Sequence, residues 1–202
     1  MIEPYYKDPD CDITIYCGDC LEVMKQIPDK SVDLVLTDPP YPDYHTELYQ
    51  YKDGLLDCLK QFSCRQLVFW SAKVEFPLDY TAIHIWDKVV GVGSMYERIF
   101  ERNGQAHYKL FSAHPITCDY IAMRSGEQYY EHPSQKPIYL IKNLVKDFSR
   151  ENNTIIDLFG GTFTTAVACK QLNRRCIGIE ISQKYCDIAI KRLKSQSMSL
   201  FK

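Results

Sequence analysis

A doubly wound, mostly parallel α/β sheet is the fold class this sequence predicts, and three observations predict it. Val32–Thr37, Leu67–Trp70 and Thr154–Leu158 are short apolar runs bounded by turn residues. They lack the alternation of a half-exposed strand, as strands covered on both faces do. Apolar residues at helical spacing separate Ile13–Tyr16 from Val32–Thr37 and Val32–Thr37 from Leu67–Trp70, so the chain reads β-α-β-α-β from its start. The composition is that of one globular domain: 202 residues, 46% hydrophobic and 25% charged.

The elements follow in order. Ile13–Tyr16 alternates and is β-branched, so it reads as a strand, broken by Gly18-Asp19. Leu21, Met24 and Ile27 recur at helical spacing up to Pro28. The strand Val32–Thr37 stops at Asp38-Pro39-Pro40-Tyr41-Pro42. Leu48, Leu55, Leu56, Leu59 and Phe62 predict a second helix, and Leu67–Trp70 the next buried strand. Ala82–Trp86 and Asp119–Met123 read as strands. No helical period is sustained from Val89 to Pro115, and 87–131 reads as a short irregular insertion, the place for a substrate-reading element. Ile138, Ile141, Leu144, Val145 and Phe148 form one face of a helix after His132-Pro133-Ser134-Gln135-Lys136-Pro137. The strand Thr154–Leu158 ends on Phe159-Gly160-Gly161-Thr162. A helix Thr165–Leu172, a strand Arg175–Ile181 and a helix from Ser182 to Leu193 complete a single domain spanning 1–202.

Composition also excludes functions. Lys plus Arg total 24 and Asp plus Glu total 26, a formal charge of -2, so the chain is no uniformly basic nucleic-acid binder, although a local basic face remains open. No 18-residue apolar stretch exists to span a bilayer, and Met1-Ile2-Glu3-Pro4 does not read as a secretory signal. The nine cysteines are odd in number. Cys17 and Cys20 have the spacing of half a zinc site, but no second half follows, so reduced, mostly buried thiols are expected, with no metal.

Two constellations carry chemistry. In the first, a strand, a Gly160-Gly161 turn, a helix and a second strand lead to Glu180, 19 residues beyond Gly161, the spacing at which an acid accepts ribose hydroxyls. The G-x-G-x-x-G of a dinucleotide site is missing, so a ligand with one nucleoside and no phosphate suits the loop better. A tight turn with a surface Glu is the alternative. In the second, Asp38-Pro39-Pro40-Tyr41 follows a buried strand. Two prolines leave a rigid run of carbonyl acceptors beside a carboxylate and an aromatic face, a set that holds a planar amine. A proline-stiffened turn is the alternative here.

Asp38-Pro39-Pro40-Tyr41 resembles the catalytic motif of the DNA amino-methyltransferases, which modify exocyclic nitrogens of bases. Asp157-Leu158-Phe159-Gly160-Gly161 looks like their S-adenosylmethionine loop, and His132 to Pro137 resembles the segment preceding that loop in the β-type, circularly permuted subgroup. The motif order, and Gly18-Asp19-Cys20-Leu21 with Ser31-Val32-Asp33-Leu34, match that subgroup too. The resemblance covers roughly 13–72 and 130–193. It implies the Rossmann-like fold of S-adenosylmethionine-dependent methyltransferases and transfer of a methyl group to a flipped base in DNA. The Asp that opens the catalytic motif implies adenine N6, with cytosine N4 or RNA as alternatives.

The resemblance also implies roles. Asp38, Pro39, Pro40 and Tyr41 would hold and stack the target base. Asp19 would sit by the cofactor's adenine and Glu180 by its ribose. Asp38, Asp157, Phe159, Gly160 and Gly161 would line the cofactor, and Ser134, Lys136 and Thr162 would lie near its methionine carboxylate. Arg98, Arg102, Lys109 and Arg124, interleaved with Tyr96, Tyr108 and Phe111, are candidates for contacting DNA, a solvated loop being the alternative. His84, His107 and His114 read as structural, Arg174-Arg175 as a helix cap, and Lys191, Arg192 and Lys194 as a solvated helix face. Double-stranded DNA as partner, homodimerisation as an option and the cytoplasm of a bacterial, archaeal or phage-infected cell as location complete what the family implies. A non-catalytic cofactor-binding subunit is the reading from another class. Phe163 departs from the family's loop, standing where glycine is common; it would either crowd the cofactor or turn inward.

Overall fold

The computed structural model describes residues 2–43, 55–91, 95–105, 107–116, 127–130, 132 and 134–196. Its strands are β1 (Tyr6–Lys7), β2 (Ile13–Cys17), β3 (Leu34–Thr37), β4 (Arg65–Trp70), β5 (Ala82–Asp87), β6 (Tyr96–Arg102), β7 (Leu110–Ser112), β8 (Thr154–Asp157) and β9 (Arg175–Glu180). They form one sheet in the order β1-β2-β9-β8-β3-β4-β6-β5-β7. The run β2-β9-β8-β3-β4 is parallel throughout. β6 is antiparallel to both its neighbours, and β1 to β2. The helices are α1 (Cys20–Val23), α2 (Ile138–Phe148), α3 (Thr164–Gln171) and α4 (Gln183–Ser195). The doubly wound, Rossmann-like arrangement is the one the sequence predicts.

The central strands are apolar because they are covered on both sides. Every residue of β3 is buried, as are Ile155 and Ile156 of β8 and Leu67 to Trp70 of β4. Helix α2 buries Leu140, Ile141, Leu144, Val145 and Phe148 along one stripe, the predicted face. Helix α3 is buried almost all round, so it shows no stripe, and it packs against α2.

The topology places the site. From β3 the chain moves outward to β4, whereas from β8 it moves outward to β9 on the other side. The direction of winding reverses between β8 and β3, and ligands in open α/β sheets bind at the carboxyl ends of strands at such a reversal. The two strand ends are stitched across 120 residues of sequence: the Thr37 hydroxyl donates to Asp157 Oδ1 at 3.0 Å and accepts the Leu158 N–H at 3.1 Å.

Three elements differ from expectation. Within 87–131, Tyr96–Arg102 is not irregular but a sheet strand lying between β4 and β5, with Ile99, Phe100 and Glu101 buried. Its charged pattern hides it, because Glu101 is received inside the protein by His84 Nε2 at 2.8 Å and Arg65 Nε at 3.0 Å. Of the expected second helix, the described residues form a 3-10 stretch, Leu55–Gln61; Leu48 and the expected strand 119–123 lie outside the described residues. Ser182 takes the N-cap position of α4 without a side-chain cap, its backbone N–H donating instead to Glu180 Oε1 at 2.8 Å. Arg174 does cap: it donates to Leu172 O at the end of α3 and to Ser149 O after α2. Among the described residues, no helix is long and apolar enough to cross a membrane.

A buried ion pair fastens α3 to the chain's beginning. Lys170 Nζ, with 2% of its side chain exposed, reaches both oxygens of Asp8 at 2.9 and 3.1 Å and the Leu193 carbonyl at 3.1 Å. Lys170→Met strands the Asp8 carboxylate, so urea unfolding should show a loss of about 3–5 kcal/mol. A loss of less than about 1 kcal/mol, the worth of an exposed pair, would contradict this role. Asp157 gives a pH signature. Burial pushes its carboxyl up to about 6, against the pull of its hydrogen bonds from Thr165, Thr37 and the Phe159 N–H. The folded state therefore holds a proton that the unfolded state, titrating near about 3.9, has released. Asp157's contribution to stability must fall as pH rises from about 4 to about 6. Asp157→Asn should remove that slope when unfolding is compared at the two ends of the window.

Candidate active site

Strand β3 delivers Asp38 to the reversal point, and Pro39 and Pro40 stiffen the turn that follows. Asp38 accepts the Tyr41 hydroxyl on Oδ1 and the Lys136 ammonium on Oδ2. Lys136 comes from the segment before α2 and lies 3.4 Å from Glu97 Oε2, over the rings of Phe69 and Trp86 at 5.0 and 5.7 Å. Glu97, on β6, receives Lys88 Nζ at 2.7 Å and the Tyr41 hydroxyl at 3.3 Å. Burial pushes the Asp38 carboxyl above its ordinary value; the pull of Lys136 does not overcome it, and nearby Glu97 adds to the rise. Burial would raise Glu97 too, but Lys136 and Lys88 hold it below its ordinary value. The two carboxylates hold Lys136 up against burial, so it stays a cation. Burial, then the charges of Asp38 and Glu97, keep Tyr41 a neutral phenol that donates.

Across the seam, β8 ends in the loop Leu158 to Phe163 and opens α3. Gly161 takes φ +51°, which favours glycine, and a Cβ there would meet His132 Nε2 at 2.9 Å. His132 accepts the Ser134 N–H on Nδ1 at 3.2 Å, which leaves Nε2 the protonated nitrogen in the neutral ring. Glu180 Oε2 accepts the Gly161 N–H at 2.8 Å, so the acid shapes the glycine loop, and burial pushes its carboxyl up. Phe163 is left-handed at φ 59° and fully buried. Its ring lies beneath the loop, where a Cβ on Gly160 or Gly178 would come within 2.4 and 2.1 Å of it. It turns inward, the second of the two outcomes the sequence leaves open for it. Arg192 is a correction: rather than joining a solvated face, it is buried on α4 and donates to the Thr162 carbonyl at 2.6 Å, the Thr162 hydroxyl at 3.0 Å and the Thr164 hydroxyl at 3.2 Å.

The two halves face one cavity of about 330 Å³. Asp38 to Tyr41, Phe159 to Thr162, Ser134, Lys136, Asp157, Asp19 and Glu180 all line it, so the residues expected at the cofactor and the amine converge. Asp19 caps α1 by accepting the Leu21 N–H at 2.9 Å. Among the lining residues the carboxylates are Asp19, Asp38, Glu97, Asp157 and Glu180, against one lysine already engaged by two of them. Such a lining repels phosphates and favours a ligand carrying positive charge and hydroxyls. A sulfonium bearing one nucleoside fits that donor set, so the residues present suit S-adenosylmethionine. Asp19, Glu180 and the Gly160-Gly161 turn would hold it, and it would supply an activated methyl group.

Sequence reading missed Glu97 and Lys88, whose only signal was a charge pattern that looked solvated, and His132, masked by its motif. The basic candidates behave differently from the cavity residues. Arg98 donates to the carbonyls of Ser71 and Val74, Arg102 to the Asp79 carbonyl and Gln66 Oε1, and Lys109 to Asp147 at 2.7 Å. None of the three lines the cavity, and Arg124 lies outside the described residues.

Comparison with known proteins places the arrangement. The chain is 25% identical to the type II methyltransferase M.ScaI of Streptomyces caespitosus, over 98% of this chain and 86% of that protein. It is 24% identical to the DNA adenine methyltransferase YhdJ of Escherichia coli K12, over 89% and 82%. Its fold matches the M1.HpyAVI–SAM complex with a TM-score of 0.63 at 22% identity, over 90% and 98% of the two chains. It also matches the cytosine-N4-specific PvuII DNA methyltransferase with a TM-score of 0.66 at 14% identity, over 96% of each. The family model for adenine-N6 and cytosine-N4 enzymes, described as DNA methylase, matches residues 85–191, more than half of the sequence. With its motif order, its reversal-point cavity and this match, the chain belongs to the N6/N4 DNA methylase family.

Proposed function

We propose that this protein transfers a methyl group from S-adenosylmethionine to the exocyclic N6 amine of adenine in DNA. The observation that carries the reading is Asp38 at the end of β3, facing the glycine loop across one shared cavity. The adenine assignment rests on the acid that opens the catalytic motif, and the adenine enzyme YhdJ is among the relatives.

When bound, S-adenosylmethionine supplies a methyl group already activated on sulfur, so the protein's task is positioning and exclusion of water. The amine's lone pair is delocalised into the ring. Its two protons donate to the Asp38 carboxylate and the Pro39 carbonyl, which favours a pyramidal nitrogen with its lone pair free. The same carboxylate stabilises positive charge as it develops on that nitrogen; the carbon–sulfur bond breaks to leave a neutral thioether, and one amine proton passes to solvent after transfer. A stacked duplex hides the atom, so the base must turn out, at a cost of a few kcal/mol. Stacking on Tyr41 would return roughly 1–3 kcal/mol. The stretch 87–131 is assigned to target reading, with Arg98, Arg102, Lys109 and Arg124 as candidate DNA contacts. Arg98, Arg102 and Lys109 would have to exchange their present partners for phosphate.

Cytosine N4 is the second reading, because the same chemistry serves any exocyclic amine and the fold also matches the PvuII enzyme. The two separate cleanly by experiment. The chain is incubated with labelled S-adenosylmethionine and mixed-sequence duplex DNA, and the nucleosides are digested and analysed by mass spectrometry. N6-methyldeoxyadenosine is expected. N4-methyldeoxycytidine would replace the base assignment, and no transfer to DNA would overturn the function.

A further inference from the structure

Lys136 sits where a target amine has to donate. Its ammonium occupies Asp38 Oδ2 while the Tyr41 hydroxyl occupies Oδ1. A carboxylate has lone pairs for further donors, so room is not the difficulty. Charge is. A nitrogen gaining positive charge beside Asp38 would face an ammonium a few ångströms away, in a site where water screens little. The cluster holds the remedy. Glu97 Oε2 lies 3.4 Å from Lys136 Nζ and 3.3 Å from the Tyr41 hydroxyl, beside the Asp38 contact, and Glu97 Oε1 is fixed by Lys88 at 2.7 Å. Lys136, Glu97 and Lys88 are largely buried, with 8%, 12% and 13% of their side chains exposed. A lysine serving packing alone needs one acid, yet this one has a second acceptor, itself anchored by a second lysine.

We propose that Glu97 is a positioning residue for methyl transfer, which draws the Lys136 ammonium off Asp38 as the target amine binds. The inference rests on the amine-methylating reading of the site. In the resting protein Lys136 shares its charge between two acids. When the amine donates to Asp38, a turn about the end of the lysine side chain gives Glu97 the larger share. Asp38 is then free to face the nitrogen with its full negative charge. The charged or titratable groups facing Asp38 are Lys136 from the segment before α2, Glu97 from β6, Asp157 from β8 and Tyr41 from its own turn, with Lys88 behind Glu97.

Three variants of the full chain test this: Glu97→Gln, Lys136→Met and the double substitution. Glu97→Gln leaves Lys136 with Asp38 as its only charged partner, so single-turnover methylation should slow at least about tenfold. Its S-adenosylmethionine dissociation constant, read by calorimetry, should rise far less than the rate falls, since Asp19, Asp38, Asp157 and Glu180 still line the cavity. Lys136→Met leaves two acids facing each other without their cation and should also be slow. The double variant removes both the blocking ammonium and the second acid, so it should be faster than either single variant. Glu97→Asp, which keeps the charge, should fall between wild type and Glu97→Gln. A double variant no faster than Glu97→Gln overturns the proposal, because a merely structural role predicts further loss. A second readout needs no turnover: carbon-13 NMR of the Asp38 carboxyl should titrate at lower pH in Glu97→Gln, since a neighbouring negative charge has gone. An unmoved midpoint also overturns it. A wild-type protein that methylates no DNA would defeat the functional reading, while the Asp38 titration would still judge the coupling of the three groups.

Discussion

The site depends on one constraint, the side-by-side arrangement of the parallel strands Leu34–Thr37 and Thr154–Asp157 at the point where the sheet's winding reverses. Each strand alone ends in an unremarkable turn. Paired, they set an acid-proline turn against a glycine turn, with a cavity between. Thr37 closes the seam by donating to Asp157 and accepting from Leu158. The chain order of the two motifs then ceases to matter, since a permuted connection reaches the same geometry. The hydrogen bond from Gly161 to Glu180 and the clamp of Arg192 on Thr162 and Thr164 hold the glycine turn in shape from the far side.

The second organising feature is charge. The cavity gathers carboxylates, and burial alone would drive several of them to take up protons. Asp38 and Asp157 do rise, whereas Glu97 falls because two lysines face it. The outcome is graded: acids that differ in proton affinity line one cavity, with a single lysine shared between two of them. Such a lining suits a cationic ligand at one end and an amine donor at the other. It also explains why a nearly neutral chain can act on a polyanion. On the proposed reading the acidic interior takes the cofactor and the base, and the phosphates are met elsewhere on the surface.

Much of this was legible in the sequence. The fully apolar runs marked the central strands, because covering both faces removes alternation. Helix Ile138–Phe148 was legible because only one face of it is buried. The distance from Gly161 to Glu180 was legible because one helix separates two adjacent strands. What escaped did so for physical reasons. Glu97 and Glu101 sit on a strand that reads as a solvated charge pattern, and only long-range partners, Lys88 and Lys136 for one and His84 and Arg65 for the other, make their burial tolerable. Arg192 shares a helix with exposed lysines, and nothing local says that its side chain turns into the loop. The inward turn of Phe163 depends on glycines at 160 and 178, one of them on another strand.

The central claim is that the Asp38 carboxylate holds the amine, while the glycine loop and Glu180 hold the cofactor independently. Asp38→Asn separates the two most directly, by comparing single-turnover methyl transfer with S-adenosylmethionine affinity in one variant. The account predicts a rate lower by roughly two to three orders of magnitude with the cofactor dissociation constant little changed. Methylation at the wild-type rate, or loss of cofactor binding in place of catalysis, would contradict it.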